Sequence, residues 1–147
     1  MRLVKFNTAK VAIQTVILFL FFLQSGFGQL HITRDTTWST DQILTQVLIV
    51  DSGITLSISN GITIKAAFID LNSDGKGEVQ IIVNGRININ GTLNNPIRFV
   101  PLENTSNKNY WLGIKIQSSM NNNTLEGLYI SNASEALVIN SPNILTS

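Results

Sequence analysis

Residues 50–64 read VDSGITLSISNGITI, and this stretch decides the fold class. It holds two short runs, GITLSI from Gly53 to Ile58 and GITI from Gly61 to Ile64, with only Ser59-Asn60 between them. Ile54, Leu56 and Ile58 fall at every second position, the pattern of a strand with one buried face. So short a link cannot hold a crossover helix. It suits either a hairpin, leading to an antiparallel β-sandwich, or a corner between successive strands of a solenoid.

Comparable runs fill most of the chain beyond Gln29, and no segment there keeps a 3.6-residue apolar period. VLIV (47–50), GITLSI and GITIKA (61–66) form one triplet, and VQIIV (79–83), GRININ (85–90) and PIRFV (96–100) form a second. WLGIKI (111–116), LEGLYI (125–130) and ALVIN (136–140) make a third, looser one. Three short strands per repeat, separated by Gly/Asn corners, describe the coils of a parallel β-helix. One coil cannot bury its own inner face, so several must stack. The expected fold is all-β, a parallel β-helix of about three coils over residues 47–147, with residues 29–46 as a lead-in or cap. The antiparallel β-sandwich remains the alternative. The chain is expected to be incomplete at its C-terminus, where an open strand edge would favour self-association.

The first residues carry an address. MRLVKFNTAK is basic, the next 13 residues, Val11 to Leu23, are apolar apart from Gln14 and Thr15, and QSGFG is rich in small residues. This is the order of a secretory signal peptide, residues 1–28, cleaved before Gln29. The apolar run falls short of the ~20 residues of a spanning helix. The protein is therefore expected to be secreted or at the cell surface, meeting a membrane only during export. Without Arg2, Lys5 and Lys10, seven basic residues face nine acidic ones. The surface is hydrogen-bonding rather than ionic, with no basic cluster for nucleic acid. With no cysteine in the sequence, disulfides and thiolate metal sites are excluded. Four N-x-[ST] tripeptides, at Asn90, Asn104, Asn122 and Asn132, read as chance in so Asn-rich a chain.

Several ordered motifs carry a resemblance. Thr36-Thr37-Trp38-Ser39, then residues 50–64, then Val83-Asn84-Gly85 leading to Asn90-Gly91-Thr92 come first. Pro96-Ile97-Arg98-Phe99 and Trp111-Leu112-Gly113-Ile114 follow. Together they resemble the opening coils of right-handed parallel β-helix proteins of the pectin-lyase-like superfold, exported by bacteria, those of Bacteroidetes most closely. The resemblance spans residues 33–116 and implies a right-handed solenoid without fixing an activity. Arg98 departs from it, since a small or hydroxyl residue is usual there. So does the longer, acidic passage from Asp70 to Glu78.

That passage, DLNSDGKGE, is the candidate site. Oxygen-bearing Asp70, Asn72 and Asp74 stand at positions 1, 3 and 5 with Gly75 at 6, the start of a calcium loop. Lys76 could add its carbonyl and Glu78 stands at position 9, but position 12 is Ile81. Calcium is the candidate cofactor, and an Asx/Gly turn is the competing reading. Trp38 and Trp111 are candidates for stacking on a sugar, and Tyr110 joins Trp111 as a candidate carbohydrate contact. The competing role for Trp111 is packing beside Ile114, and for Trp38 sealing the first coil. The charged strand residues Arg86, Arg98, Lys115 and Glu126 are scattered, and His31 has no partner in view. The function expected is an exported, non-enzymatic scaffold, surface or adhesive, in contact with polysaccharide or a cell-surface glycan. The alternative is the N-terminal part of a polysaccharide lyase or glycoside hydrolase.

Overall fold

A computed structural model describes residues 28–118 and 123–140. The signal peptide read over residues 1–28 lies outside the described residues except for Gly28. Thirteen strands follow in order: β1 (Gln29–Ile32), β2 (Thr36–Trp38), β3 (Gln42–Leu44), β4 (Val47–Val50), β5 (Thr55–Ile58), β6 (Thr63–Ala66) and β7 (Gln80–Val83). The remainder are β8 (Arg86–Asn90), β9 (Ile97–Pro101), β10 (Gly113–Ile116), β11 (Thr124–Glu126), β12 (Leu128–Ile130) and β13 (Leu137–Ile139).

The two runs of the opening stretch become β5 and β6, which belong to different sheets. Sheet A has the order β1-β4-β7-β10-β13, sheet B β11-β8-β5-β2 and sheet C β12-β9-β6-β3. Each strand therefore pairs with the strand three places on, and every ladder is parallel. No consecutive strands pair, so the β-sandwich alternative falls. The chain is a parallel β-helix, right-handed as expected.

Alternation places the core. In β5, Leu56 and Ile58 are buried while Thr55 and Ser57 are half-buried on the outside. Register then stacks like on like: Leu56 opposite Ile87, Ile58 opposite Ile89, and Ile89 opposite Leu125. Sheet A contributes the columns Leu48–Ile81–Ile114 and Val50–Val83–Ile116, and sheet C contributes Ile64–Phe99–Ile130. Burying each such aliphatic side chain is worth about 1.5–3 kcal/mol. Trp111, fully buried, closes the corner between sheets C and A. Its ring stacks on Phe99 with centroids 6.2 Å apart, and its Nε1–H donates to the Ser131 carbonyl at 3.0 Å. That bond removes the cost of burying an indole N–H.

Three assignments differ from the sequence reading. The lead-in is itself a coil, since β1 to β3 pair in register with β4 to β6. Its Asp35 and Asp41 accept the N–H groups of Thr55 and Thr63, each at 2.8 Å, so side chains of the first coil bind the backbone of the next. LEGLYI is two strands rather than one. Gly127 takes φ +56°, and a Cβ there would lie 2.3 Å from Gly91 C, so the chain turns a corner in a single residue. ALVIN consequently contributes β13, which pairs with β10 and opens a further pass of sheet A.

Replacing Trp111 with alanine should lower stability by about 3–5 kcal/mol, as expected of an aromatic lost from a close-packed core. Tyr129→Ala on the outer face of sheet C should cost less than about 1 kcal/mol. Denaturant melts of both variants measure the difference, and equal losses would show that the Phe99–Trp111 stack is not part of the core.

Candidate metal centre

The passage linking β6 to β7 carries the acidic motif. Its stem is held by the fold: Ala67 N–H donates to Leu44 O, and Glu78 N–H donates to Ile69 O, both at 2.8 Å. Between these points the loop closes on its own carboxylates. Asp70 Oδ1 accepts the Asp74 N–H at 3.1 Å and its Oδ2 accepts the Gly75 N–H at 2.8 Å. Asn72 Oδ1 shares the Asp74 N–H at 3.0 Å, and Asp74 Oδ1 accepts the Lys76 N–H at 2.9 Å. Glu78 Oε2 reaches back to the Leu71 N–H at 2.9 Å. Ser73 and Gly75 sit at φ +61° and +83°, which bends the backbone around these oxygens.

One oxygen each from Asp70, Asp74 and Glu78 lie within 4.8 Å of one another. Among the described residues this is the one group of three or more potential metal-ligating side chains. Three carboxylates that close repel by roughly 1 kcal/mol per pair even in a water-like dielectric. An all-oxygen donor set of this kind suits a hard cation rather than zinc or copper. Of the five residues read from sequence, the carboxylates of Asp70, Asp74 and Glu78 converge. Asn72 turns its amide oxygen onto the loop's backbone, and exposed Lys76 joins through its amide N–H. Ile81, at position 12, is fully buried in β7, so the loop enters the sheet before a twelfth-position ligand is possible. Glu78 supplies the third carboxylate instead.

The loop is braced by the next coil. Gly77 N–H donates to Asn109 O at 2.9 Å, and Asn107 Nδ2 lies 3.5 Å from Gly75 O. One coil further on, Asn132 Nδ2 donates to Thr105 O at 3.3 Å and to Asn107 O at 2.9 Å. Asparagine side chains thus tie successive loops together along this corner.

The sugar-stacking role read for Tyr110 and Trp111 does not fit this arrangement. Tyr110 is only 5% exposed, with its ring 5.4 Å from Phe68, and Trp111 is fully enclosed. Neither offers a ring face to a ligand, and packing is what Trp111 does. Two aromatics not singled out in the sequence are exposed: Phe68, 39% exposed, and Tyr129, 46% exposed, the latter with the Arg98 guanidinium 5.2 Å from its ring centroid. That contact accounts for Arg98: it stands outward in β9 and lies directly across from Tyr129 in β12. His31 also has a partner, Asp51, at 2.7 Å between Nδ1 and Oδ1. The two lie 20 residues apart in sequence but on neighbouring coils, a proximity only the register reveals.

Replacing Asp70 with alanine should speed amide exchange at Asp74 and Gly75 by roughly tenfold in metal-free protein. This is the low end for charge-assisted bonds, because the loop is solvated. Hydrogen exchange at these two amides measures it, and unchanged rates would mean that the carboxylate does not hold the loop.

Residues 30–138 match a family model described as a pectate-lyase-like β-helix domain. No curated protein and no solved structure matches the chain. The match covers well over half of the sequence and spans every coil from β1 to β13. By its three parallel sheets and by this match, the chain belongs to the pectate-lyase-like β-helix domain family.

Proposed function

We propose that the chain is a non-enzymatic scaffold of an exported protein, secreted or held at the cell surface. Its acidic loop binds calcium, and its outer face contacts carbohydrate. The observation that carries this reading is where the ionisable groups sit. The converging acids lie on a loop between coils, with their oxygens bound to that loop's own backbone, which is the place for a structural clip rather than a catalytic pair. Glycosidases need two carboxylates flanking a bond, one raised in pKa to act as acid. Here the outward positions of sheet B run Thr37–Ser57–Asn88–Thr124, a ladder of hydroxyls and amides. Near it, a cleft of about 310 Å3 is lined by Ser52, Thr55, Asn84, Arg86 and Ser118, among others. Such groups match the hydroxyls of a sugar. Self-association along an open strand edge belongs to the same reading.

The family description favours a second reading, in which these coils form part of a polysaccharide-degrading enzyme. Incubation with calcium and a soluble polyuronate separates the two. Retention of an intact polymer supports the scaffold, whereas new chain ends support the enzyme.

Calcium titration by calorimetry, paired with thermal melting, tests the loop. Without a bidentate glutamate at position 12, the expected dissociation constant is roughly 0.1–1 mM, the weak class of extracellular modules. Calcium should raise the melting point by a few degrees. Asp70→Ala and Asp74→Ala should abolish both the heat and the shift. A folded protein that shows neither would return the loop to an ordinary turn.

A further inference from the structure

Three Asn-Gly steps occupy corners of the helix: Asn60-Gly61 between β5 and β6, Asn84-Gly85 between β7 and β8, and Asn90-Gly91 where β8 ends. Each carries a latent reaction. The glycine backbone nitrogen, once deprotonated, can attack Cγ of the asparagine. An N–Cγ bond forms, the Cγ–Nδ2 bond breaks, and ammonia leaves with a proton taken from water. The product is a five-membered succinimide. Water then opens the ring at either carbonyl, giving aspartate or isoaspartate, and in the latter the main chain is one carbon longer. Glycine favours the attack because it has no Cβ to obstruct it and its backbone rotates freely. Two conditions remain: solvent must reach the glycine N–H, and the corner must be free to turn.

The fold grants both to one step of the three. Gly85 is buried and wedged against the coil below, where a Cβ would lie 2.2 Å from Ile54 O and 2.3 Å from Asp51 O. Its N–H donates to Val50 O at 3.1 Å. Gly91 is buried as well, with a Cβ position 2.4 Å from Gly127 O and its N–H donating to Glu126 O at 2.9 Å. Rotating either glycine would break contacts between coils. Asn60 and Gly61, by contrast, are both exposed, and the nearest atom to a Cβ on Gly61 is 3.8 Å away in the Asn95 side chain. The Gly61 N–H makes one bond, to Asn95 O at 3.2 Å on another exposed corner, which a local fluctuation of the turn releases.

We propose that Asn60 is a site of spontaneous deamidation in the folded protein, and that burial of the following glycine protects Asn84 and Asn90. The modification places a carboxylate beside Asn95. In its isoaspartyl form it also lengthens the corner between sheets B and C.

The test is to hold the purified protein at mildly alkaline pH, folded or in denaturant, and to follow amide-to-acid conversion by peptide mass mapping. Isoaspartate is read out separately by enzymatic methyl labelling. In the folded protein, conversion at Asn60 should outpace that at Asn84 and Asn90 by at least about tenfold, since those corners must first open. In denaturant the three rates should converge, and Asn60→Gln should remove the fast component. The proposal is overturned if Asn84 or Asn90 keeps pace with Asn60 in the folded state. It is overturned equally if Asn60 stays intact there while the denatured control converts.

Discussion

Parallel pairing with the residue one coil away is the constraint from which the rest of this structure follows. It fixes a spacing of about 4.8 Å between coils and forces every inward side chain to sit on its counterpart. A column such as Leu48–Ile81–Ile114 is buried only because neighbours above and below complete it. The same condition explains the corners. At or near the start of a strand, the backbone N–H groups of Thr55, Thr63 and Ile87 are taken up by the side chains of Asp35, Asp41 and Asn123, each at 2.8 Å. Polar residues at the corners thus complete the ladders that the aliphatic columns hold together.

The period-2 runs made the strands legible, because alternation between Leu56, Ile58 and their polar neighbours is a direct imprint of one face turned inward. The triplet rhythm then distinguished a solenoid from a sandwich. Reading failed where a single residue did the work of a loop. Gly127 turns a corner that no Gly/Asn pair announces, so LEGLYI looks continuous. It failed also at the first coil, where Thr36 and Gln42 stand at inward positions and dilute the apolar pattern, because one side of that coil has no described neighbour to bury it.

The candidate metal centre divides in the same way. Its oxygens were readable from spacing, since Asp70, Asn72, Asp74 and Gly75 are local to one loop. The burial of Tyr110 and Trp111 was not, because it depends on Phe68 and Phe99 reaching them from the preceding coil. Pairs such as His31–Asp51 and Arg98–Tyr129 escape sequence reading for that reason: they are neighbours along the axis and strangers along the chain.

The pairings Gln29–Val47, Leu48–Ile81, Ile81–Ile114 and Ile114–Leu137 step along the chain by 18, 33, 33 and 23 residues. Register survives this variation, which is largest at the corner leading from sheet C to sheet A. Only Thr45 and Gln46 separate β3 from β4 there, whereas residues 67–79 separate β6 from β7. That edge of the prism therefore works as an expansion joint. Segments of very different length, the acidic loop among them, can be gained or lost there while the stacked columns behind them stay where they are.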